Sequence, residues 1–184
     1  MSMIKTVMQL HNHPSICYWT LFNEGWGQFD SEYVYEEFKK LDDTRFVDST
    51  SGWFRRKKTD VDSRHQYFGK FKLKGDGKKP LILSEFGGKA YGEPNHVFNP
   101  DKVYGYGSTC MSLQELDIAV SSLYWKDLLP CVKNGVCAAI YTQVSDVEDE
   151  INGLLTYDRK VSKFSRETML PIAAALQKAN SGEA

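Results

Sequence analysis

The sequence predicts an α/β fold built on parallel strands, and three observations predict it. Apolar runs at residues 16–22, 81–85 and 136–142 lack polar alternation, as strands covered on both faces do. Stretches with helical spacing of apolar residues, such as Val34, Phe38 and Leu41, lie between them. The two kinds alternate along the chain, the order expected of helices packed on a parallel sheet.

Within residues 2–10, Ile4, Val7 and Met8 stand at i, i+3 and i+4, which predicts a helix. It has no N-cap and opens almost at Met1, so the expectation is the tail of a longer helix. Residues 11–14 end it, and the first strand follows at 16–22. Asp30 or Ser31 is expected to cap the next helix. Short strands are predicted at 45–49 and 61–67, separated by the basic run Arg55-Arg56-Lys57-Lys58. With no wider basic surface to support it, that run reads as a solvated loop. Residues 69–79 are rich in Gly and Lys and read as a loop, and Pro80 introduces the strand 81–85. The Gly-, Tyr-, Asn- and Pro-rich excursion 87–111 is long for a connection, and such loops are usually functional or mobile. Ser112-Leu113-Gln114-Glu115 is a capping box. It opens a helix carrying Leu113, Leu116, Val120, Leu123 and Leu128, kinked at Pro130 and ended near Gly135. The strand 136–142, a loop over 145–160 and a helix around 165–178, with Ile172 and Leu176 on one face, complete the chain.

The 184 residues fit one domain, and 41% hydrophobic with 26% charged residues supports a packed core. A net charge of −1 offers no field for nucleic acid or an acidic membrane, and neither is expected as a partner. No stretch approaches the ~18 apolar residues of a membrane span, and no signal peptide opens the chain. Cys17, Cys110, Cys131 and Cys137 match neither a zinc site nor a CxxC motif. A reduced, cytoplasmic setting is expected, with Cys17 and Cys137 acting as small hydrophobes inside strands. His11 and His13 lack a third ligand, and Glu148, Asp149 and Glu150 read as a solvated acidic loop. No metal and no cofactor is expected.

Two carboxylates end apolar strands. Glu24 follows Trp19-Thr20-Leu21-Phe22-Asn23, and Glu85 follows Leu81-Ile82-Leu83-Ser84. In a (β/α) barrel the active site gathers at the C-terminal strand ends. Apolar strands desolvate a carboxyl and favour its protonated form. One protonated and one ionised carboxyl is what glycosidic cleavage requires. A single Glu at a strand end is more often a salt-bridge or cap partner, so the surrounding motifs decide.

His13-Pro14-Ser15-Ile16 leading to Asn23-Glu24 resembles glycoside hydrolase family 2, the family of β-galactosidases, β-glucuronidases and β-mannosidases. Ser84-Glu85-Phe86-Gly87 is similar to that family's strand-seven motif. Asn152-Gly153-Leu154 with Tyr157-Asp158-Arg159-Lys160 resembles the segment after strand eight. Four motifs fall in order over roughly residues 10 to 165. The resemblance implies a partial (β/α)8 TIM barrel, approximately strands four to eight, with residues 1–184 forming a single catalytic-domain fragment. It also implies a retaining exo-β-glycosidase acting by double displacement on a β-linked oligosaccharide or glycoside. Glu24 is then the acid/base and Glu85 the nucleophile, with the two carboxyls about 5–5.5 Å apart.

By the same resemblance Asn23 binds the sugar's 2-hydroxyl, and Tyr67 holds the nucleophile. His65, two residues earlier on a period-two strand, shares Tyr67's face and is a candidate for a sugar hydroxyl. Trp26 and Trp53 follow strand ends and are candidates for stacking on sugar rings. The sequence departs from the family at strand eight, where many members carry a tryptophan. Here the run is Ile140-Tyr141-Thr142-Gln143, and Tyr141 or Gln143 is expected to serve instead. The asparagine-lysine carboxylate clamp of β-glucuronidases has no counterpart, which disfavours glucuronic acid. A full barrel takes about 250 residues. The expectation is therefore a half-barrel that forms a homo-oligomer, complements a missing N-terminal half, or belongs to a longer product; as such a fragment it would be a weak carbohydrate binder.

Overall fold

The computed structural model of the protein describes residues 2–107 and 109–181. Its elements are α1 (Ser2–Leu10), β1 (Tyr18–Thr20), α2 (Ser31–Leu41), β2 (Phe46–Asp48), β3 (Asp62–Gln66), β4 (Leu81–Gly87), α3 (Leu113–Ser122), a π-helical segment (Leu123–Leu128), α4 (Leu129–Lys133), β5 (Val136–Thr142) and α5 (Arg166–Ser181). The described chain divides into two compact units. Residues up to 65 together with 75–84 form the first, and residues 66–74 together with those from 85 onward form the second. None of the described helices is long and apolar enough to cross a membrane.

In the first unit β1 and β2 pair in parallel, with Tyr18 opposite Phe46, Trp19 opposite Val47 and Thr20 opposite Asp48. Val7 of α1, Phe38 of α2 and Val47 of β2 form the buried core, and Met3, Trp19, Leu21 and Tyr35 pack on it. Asp42, just past α2, ties this core to the turn before β1. It accepts from Trp19 Nε1 at 2.9 Å, Arg45 Nη1 at 2.6 Å and Thr44 Oγ1 at 2.6 Å. Burial pushes the Asp42 carboxyl up, but these donors outweigh it and hold it well below the usual carboxylate range. Arg45 spends its other N–H groups on the carbonyls of Ile16 (2.7 Å) and His11 (2.6 Å). That use of the Ile16 carbonyl explains why the first strand starts at Tyr18 rather than at residue 16.

Two expectations need correction here. Asp30 occupies the N-cap of α2 with φ 37°, and its side chain makes no cap bond. A side-chain cap needs an extended N-cap residue, and the left-handed backbone turns the carboxylate away. Ser31 is the first residue of the helix and is buried. Cys17 and Cys137 are both exposed, so neither acts as a core hydrophobe. The basic run is solvated as expected, with Arg55 paired to Asp62 and Lys58 to Glu36.

The sheet order β3-β4-β5 explains which strands are covered. β4 lies between two neighbours, and its residues 81–84 are buried, as a strand without polar alternation should be. β5 has one neighbour, and its residues 137–140 are exposed despite the same apolar composition. An edge position leaves part of a strand uncovered.

The second unit packs around Phe86, Leu116, Val120, Leu128 and Ile151. Ser112 caps α3 by accepting from Glu115 N at 3.1 Å, while the Glu115 carboxylate reaches back to Met111 N at 2.8 Å. The helix does not simply kink at Pro130. It widens into the π-helical segment and then resumes as α4. Proline has no N–H to give, and its ring would clash with the carbonyl four residues back, at Lys126, so the wider turn just before it relieves both problems. Gly135, φ 102°, then breaks the helix before β5.

The chain after β5 folds around a buried ion pair that the sequence did not announce. Lys163 Nζ donates to Asp146 Oδ1 at 2.7 Å and to the carbonyls of Tyr91 (2.7 Å) and Ile151 (3.0 Å). Burial drives both groups toward neutrality, raising Asp146 and lowering Lys163, and their mutual attraction opposes it. Replacing Lys163 by Met leaves Asp146 buried without its cation. The expected loss is about 3–5 kcal/mol in urea unfolding, and a loss below about 1 kcal/mol would show the pair to be dispensable.

Candidate active site

The first unit carries Glu24. Backbone pairing continues past the ends of β1 and β2, from Leu21 N to Asp48 O (3.0 Å), then Ser51 N to Phe22 O (2.8 Å) and Glu24 N to Ser51 O (2.9 Å). This brings Asn23 opposite Ser51 and sets Glu24 at the end of the ladder. The chain then turns sharply. Glu24 has φ 51° and Gly25 φ 85°, and a Cβ on Gly25 would lie 2.5 Å from the Phe54 ring. A glutamate in the left-handed region is uncommon and persists where its surroundings over-determine it. Here the Glu24 N–H bond and a bond from Trp26 N to Asn23 O at 3.2 Å supply that constraint.

The Glu24 carboxylate meets His65 Nδ1 at 2.7 Å. The His65 side chain has no solvent exposure, while that of Glu24 retains 21%. His65 sits on β3, and the tripeptide Ser51-Gly52-Trp53 wraps it. Ser51 Oγ lies 2.9 Å from Nε2, and Trp53 donates its indole N–H to the His65 carbonyl at 3.3 Å and sets its ring edge-on to the imidazole. Gly52, φ 93°, lies so close that a Cβ there would be 2.7 Å from Nδ1. Ser51 Oγ in turn contacts Ser84 Oγ at 3.0 Å, and Ser84 Oγ donates to the Arg64 carbonyl at 3.1 Å. Ser51 and Gly52 belong to no motif in the sequence, and Ser84 appears there only within the motif around Glu85. The one readable signal was a cluster of small residues, 49–52, directly after a strand.

Beside Glu24 lies a cavity lined by Trp26, Gln28, Trp53, Phe54 and Arg56 as well as Glu24 itself. Trp26 is 86% exposed and Trp53 57%, so both indoles present open faces instead of filling a core. Asn23 is also exposed.

The second unit carries Glu85, the half-buried residue in an otherwise buried β4. Tyr67 donates its phenol to Glu85 Oε2 at 2.5 Å, and Thr142 Oγ1 lies 3.1 Å from the Tyr67 hydroxyl. Burial, then the hydrogen bond to Glu85, pushes the Tyr67 phenol far up, so it remains a donor. Tyr106 stacks on Tyr67 with ring centroids 4.1 Å apart and planes 11° apart. Tyr106 comes from the long excursion and was not picked out individually. Gly88, φ 67°, admits it, since a Cβ there would lie 2.6 Å from the Tyr106 ring.

Tyr141 is packed rather than open. Its ring meets Phe86 edge-on at 5.5 Å and stacks on Tyr124 at 6.2 Å. A Cβ on Gly87 would come within 2.5 Å of it, and its hydroxyl is buried without a hydrogen-bond partner among the described residues. Gln143 donates to Glu150 Oε2 at 3.0 Å and to Asn152 Oδ1 at 3.1 Å. Burial raises the Glu150 carboxyl against that bond, and the charge of Glu85 raises it further. Glu150 is thus within electrostatic reach of Glu85, and the acidic loop is not uniformly solvated.

Residues 1–163 match the family model for glycosyl hydrolases family 2, TIM barrel domain. A search of curated protein sequences returns no match. Among solved structures, the chain is similar to one described as a β-galactosidase of Bacteroides fragilis, with TM-score 0.62, 17% identity, and coverage of 94% of this chain and 30% of that one. It is similar to the β-glucuronidase of Faecalibacterium prausnitzii, with TM-score 0.52, 17% identity, and coverage of 97% and 34%. It is also similar to a β-glucuronidase of Bacteroides uniformis, with TM-score 0.56, 17% identity, and coverage of 85% and 23%. At that identity the likeness concerns the fold. The chain spans about a third or less of the length of these structures.

The packing of Gly52 on His65 gives a direct test of the first carboxylate's setting. Gly52→Ala places a methyl group against the imidazole and puts a side chain where φ is positive. The expected cost is about 1–3 kcal/mol in thermal unfolding, with displacement of His65 from Glu24 visible in a crystal structure. An unchanged midpoint and an unmoved ring would contradict it.

Proposed function

Because the chain belongs to the glycosyl hydrolases of family 2, as a TIM-barrel domain, we propose that it carries the catalytic pair of a retaining exo-β-glycosidase, on barrel strands four to eight. Glu24 is the acid/base and Glu85 the nucleophile. The observation that carries this reading is the difference between the surroundings of the two carboxylates. Glu24 is joined to a buried imidazole, a group able both to accept and to donate a proton. Glu85 accepts from a phenol that burial keeps protonated, which orients the carboxyl. One carboxyl set for proton transfer and one set for attack is the division of labour that double displacement needs.

In the first step Glu85 attacks the anomeric carbon while Glu24 gives its proton to the departing glycosidic oxygen. In the second, Glu24 takes a proton from water, which displaces Glu85 from the sugar. The leaving group departs on the side of the acid, so the cavity of Trp26, Trp53, Phe54 and Arg56 beside Glu24 belongs to the aglycone. The open indole faces suit the apolar face of a pyranose ring or an aryl group. Asn23 takes the sugar's 2-hydroxyl. Tyr141, held by Phe86 and Tyr124, supports the wall through packing, and Gln143 with Glu150 and Asn152 supplies polar contacts on the Glu85 side.

Substitution of Glu85 by Gly tests the mechanism. Turnover of an aryl β-glycoside should fall to background, and azide should restore it with an α-glycosyl azide as product, by attack in the nucleophile's place. A Glu85→Gly chain with the wild-type rate would overturn the reading.

The exposure of residues 137–140 on the edge strand β5 favours a second reading, in which the chain works only after a further barrel segment, or a second copy, covers that strand. Light scattering with an activity assay separates the two. An inactive monomer favours the second reading, and an active monomer excludes it.

A further inference from the structure

The serines that flank His65 are not part of the chemistry just described, yet they are buried and aligned on it. Ser51 and Ser84 are 4% and 6% exposed. Their contacts form one line: His65 Nε2 to Ser51 Oγ at 2.9 Å, Ser51 Oγ to Ser84 Oγ at 3.0 Å, and Ser84 Oγ to the Arg64 carbonyl at 3.1 Å. A carbonyl only accepts, and a hydroxyl has one proton to give. When Ser84 donates to the Arg64 carbonyl, it faces Ser51 as an acceptor. Ser51 then donates to Ser84 and faces His65 as an acceptor. The line is satisfied throughout only if Nε2 of His65 carries a proton.

We propose that Ser51 and Ser84 are positioning residues that hold His65 in its Nε2-protonated form and thereby keep a transferable proton on the Glu24–His65 pair. The proposal rests on the reading of Glu24 as the acid/base. With Nε2 protonated, the 2.7 Å contact at Nδ1 has two satisfied forms. Either a neutral ring accepts the proton of a protonated Glu24, or a protonated ring donates to an ionised Glu24. Both forms hold the same number of protons, and both place one between Glu24 and the ring. The alternative neutral ring, protonated on Nδ1 alone, would bond equally well to Glu24 but would leave the carboxylate without a proton to give. Reversing the serine line would stabilise that alternative, at the loss of the Ser84 bond to the Arg64 carbonyl.

The arrangement also bears on the second step. After Glu24 has delivered its proton, the serine line still holds the ring proton on Nε2, and the attacking water returns the missing proton to the pair. The proton moves from Glu24 to the glycosidic oxygen and returns from water to Glu24. The serines donate nothing to the substrate.

Nitrogen-15 NMR of the histidine rings in the full chain tests this, with the His65 signals identified by their loss in His65→Gln. At neutral pH the wild-type Nε2 should show the shift of a protonated nitrogen. In Ser84→Ala the Ser51 hydroxyl loses its acceptor and can turn to Nε2, which should shift toward the unprotonated range. Ser84→Thr, which keeps the hydroxyl, should restore the wild-type shift. A bare Nε2 in the wild-type chain overturns the proposal, and this result needs no variant to fold. An Nε2 signal that is the same in folded Ser84→Ala as in the wild type also overturns it. Hydrolysis rates against leaving-group acidity test the Glu24 assignment separately, since the NMR result stands whether or not the chain turns over substrate.

Discussion

The 2.7 Å contact between Glu24 and His65 joins the end of one strand ladder to the strand β3, and the first unit is arranged to make it. The ladder of β1 and β2 runs on as single backbone bonds until Glu24 is in place. Ser51-Gly52-Trp53 then closes around the ring with a hydroxyl, a missing side chain and an indole edge. Each of these is a close approach with little slack. A Cβ at position 52 or a longer side chain at 51 would move the imidazole, and with it the partner of the carboxylate.

The second unit solves a different problem with different chemistry. Glu85 is the half-buried residue of the most deeply buried strand. A phenol at 2.5 Å orients it, and burial holds the phenol's own proton in place. The stack of Tyr106 on Tyr67 fixes the phenol's direction, and Gly88 lets Tyr106 approach. The excursion 87–111 therefore has a structural consequence at the site: it delivers the ring that keeps Tyr67 aimed.

Much of this was legible in the sequence, and the reasons differ by element. Strands and helices were readable wherever an apolar period ran for a whole element, as in α2, β4 and β5. Glu24 and Glu85 stood out because charged residues end otherwise apolar runs, Tyr67 through the family resemblance, and His65 because it shares Tyr67's strand face. Exposure was not readable, because composition cannot say whether a strand lies at an edge; Cys137 on β5 is the example. The π-helical segment was not readable either, since Pro130 announces a disturbance without its form. Short polar residues were the main omission. Ser51 and the Lys163–Asp146 pair have no period and no motif, Ser84 is visible only as part of the motif around Glu85, and only the fold gives them partners.

That omission has a physical basis that bears on how such sites are built. Serine hydroxyls reach only an immediate neighbour, so a line of three contacts ending on a carbonyl requires the backbones that carry them to approach closely. Strand ends provide that approach without further design, and burial gives the line its worth, since an unsatisfied hydroxyl there is costly. The same low exposure that makes the network strict makes it directional: the carbonyl at the end sets which way each serine hydroxyl points. A carboxyl at the open end of such a line inherits that order while keeping its own access to solvent.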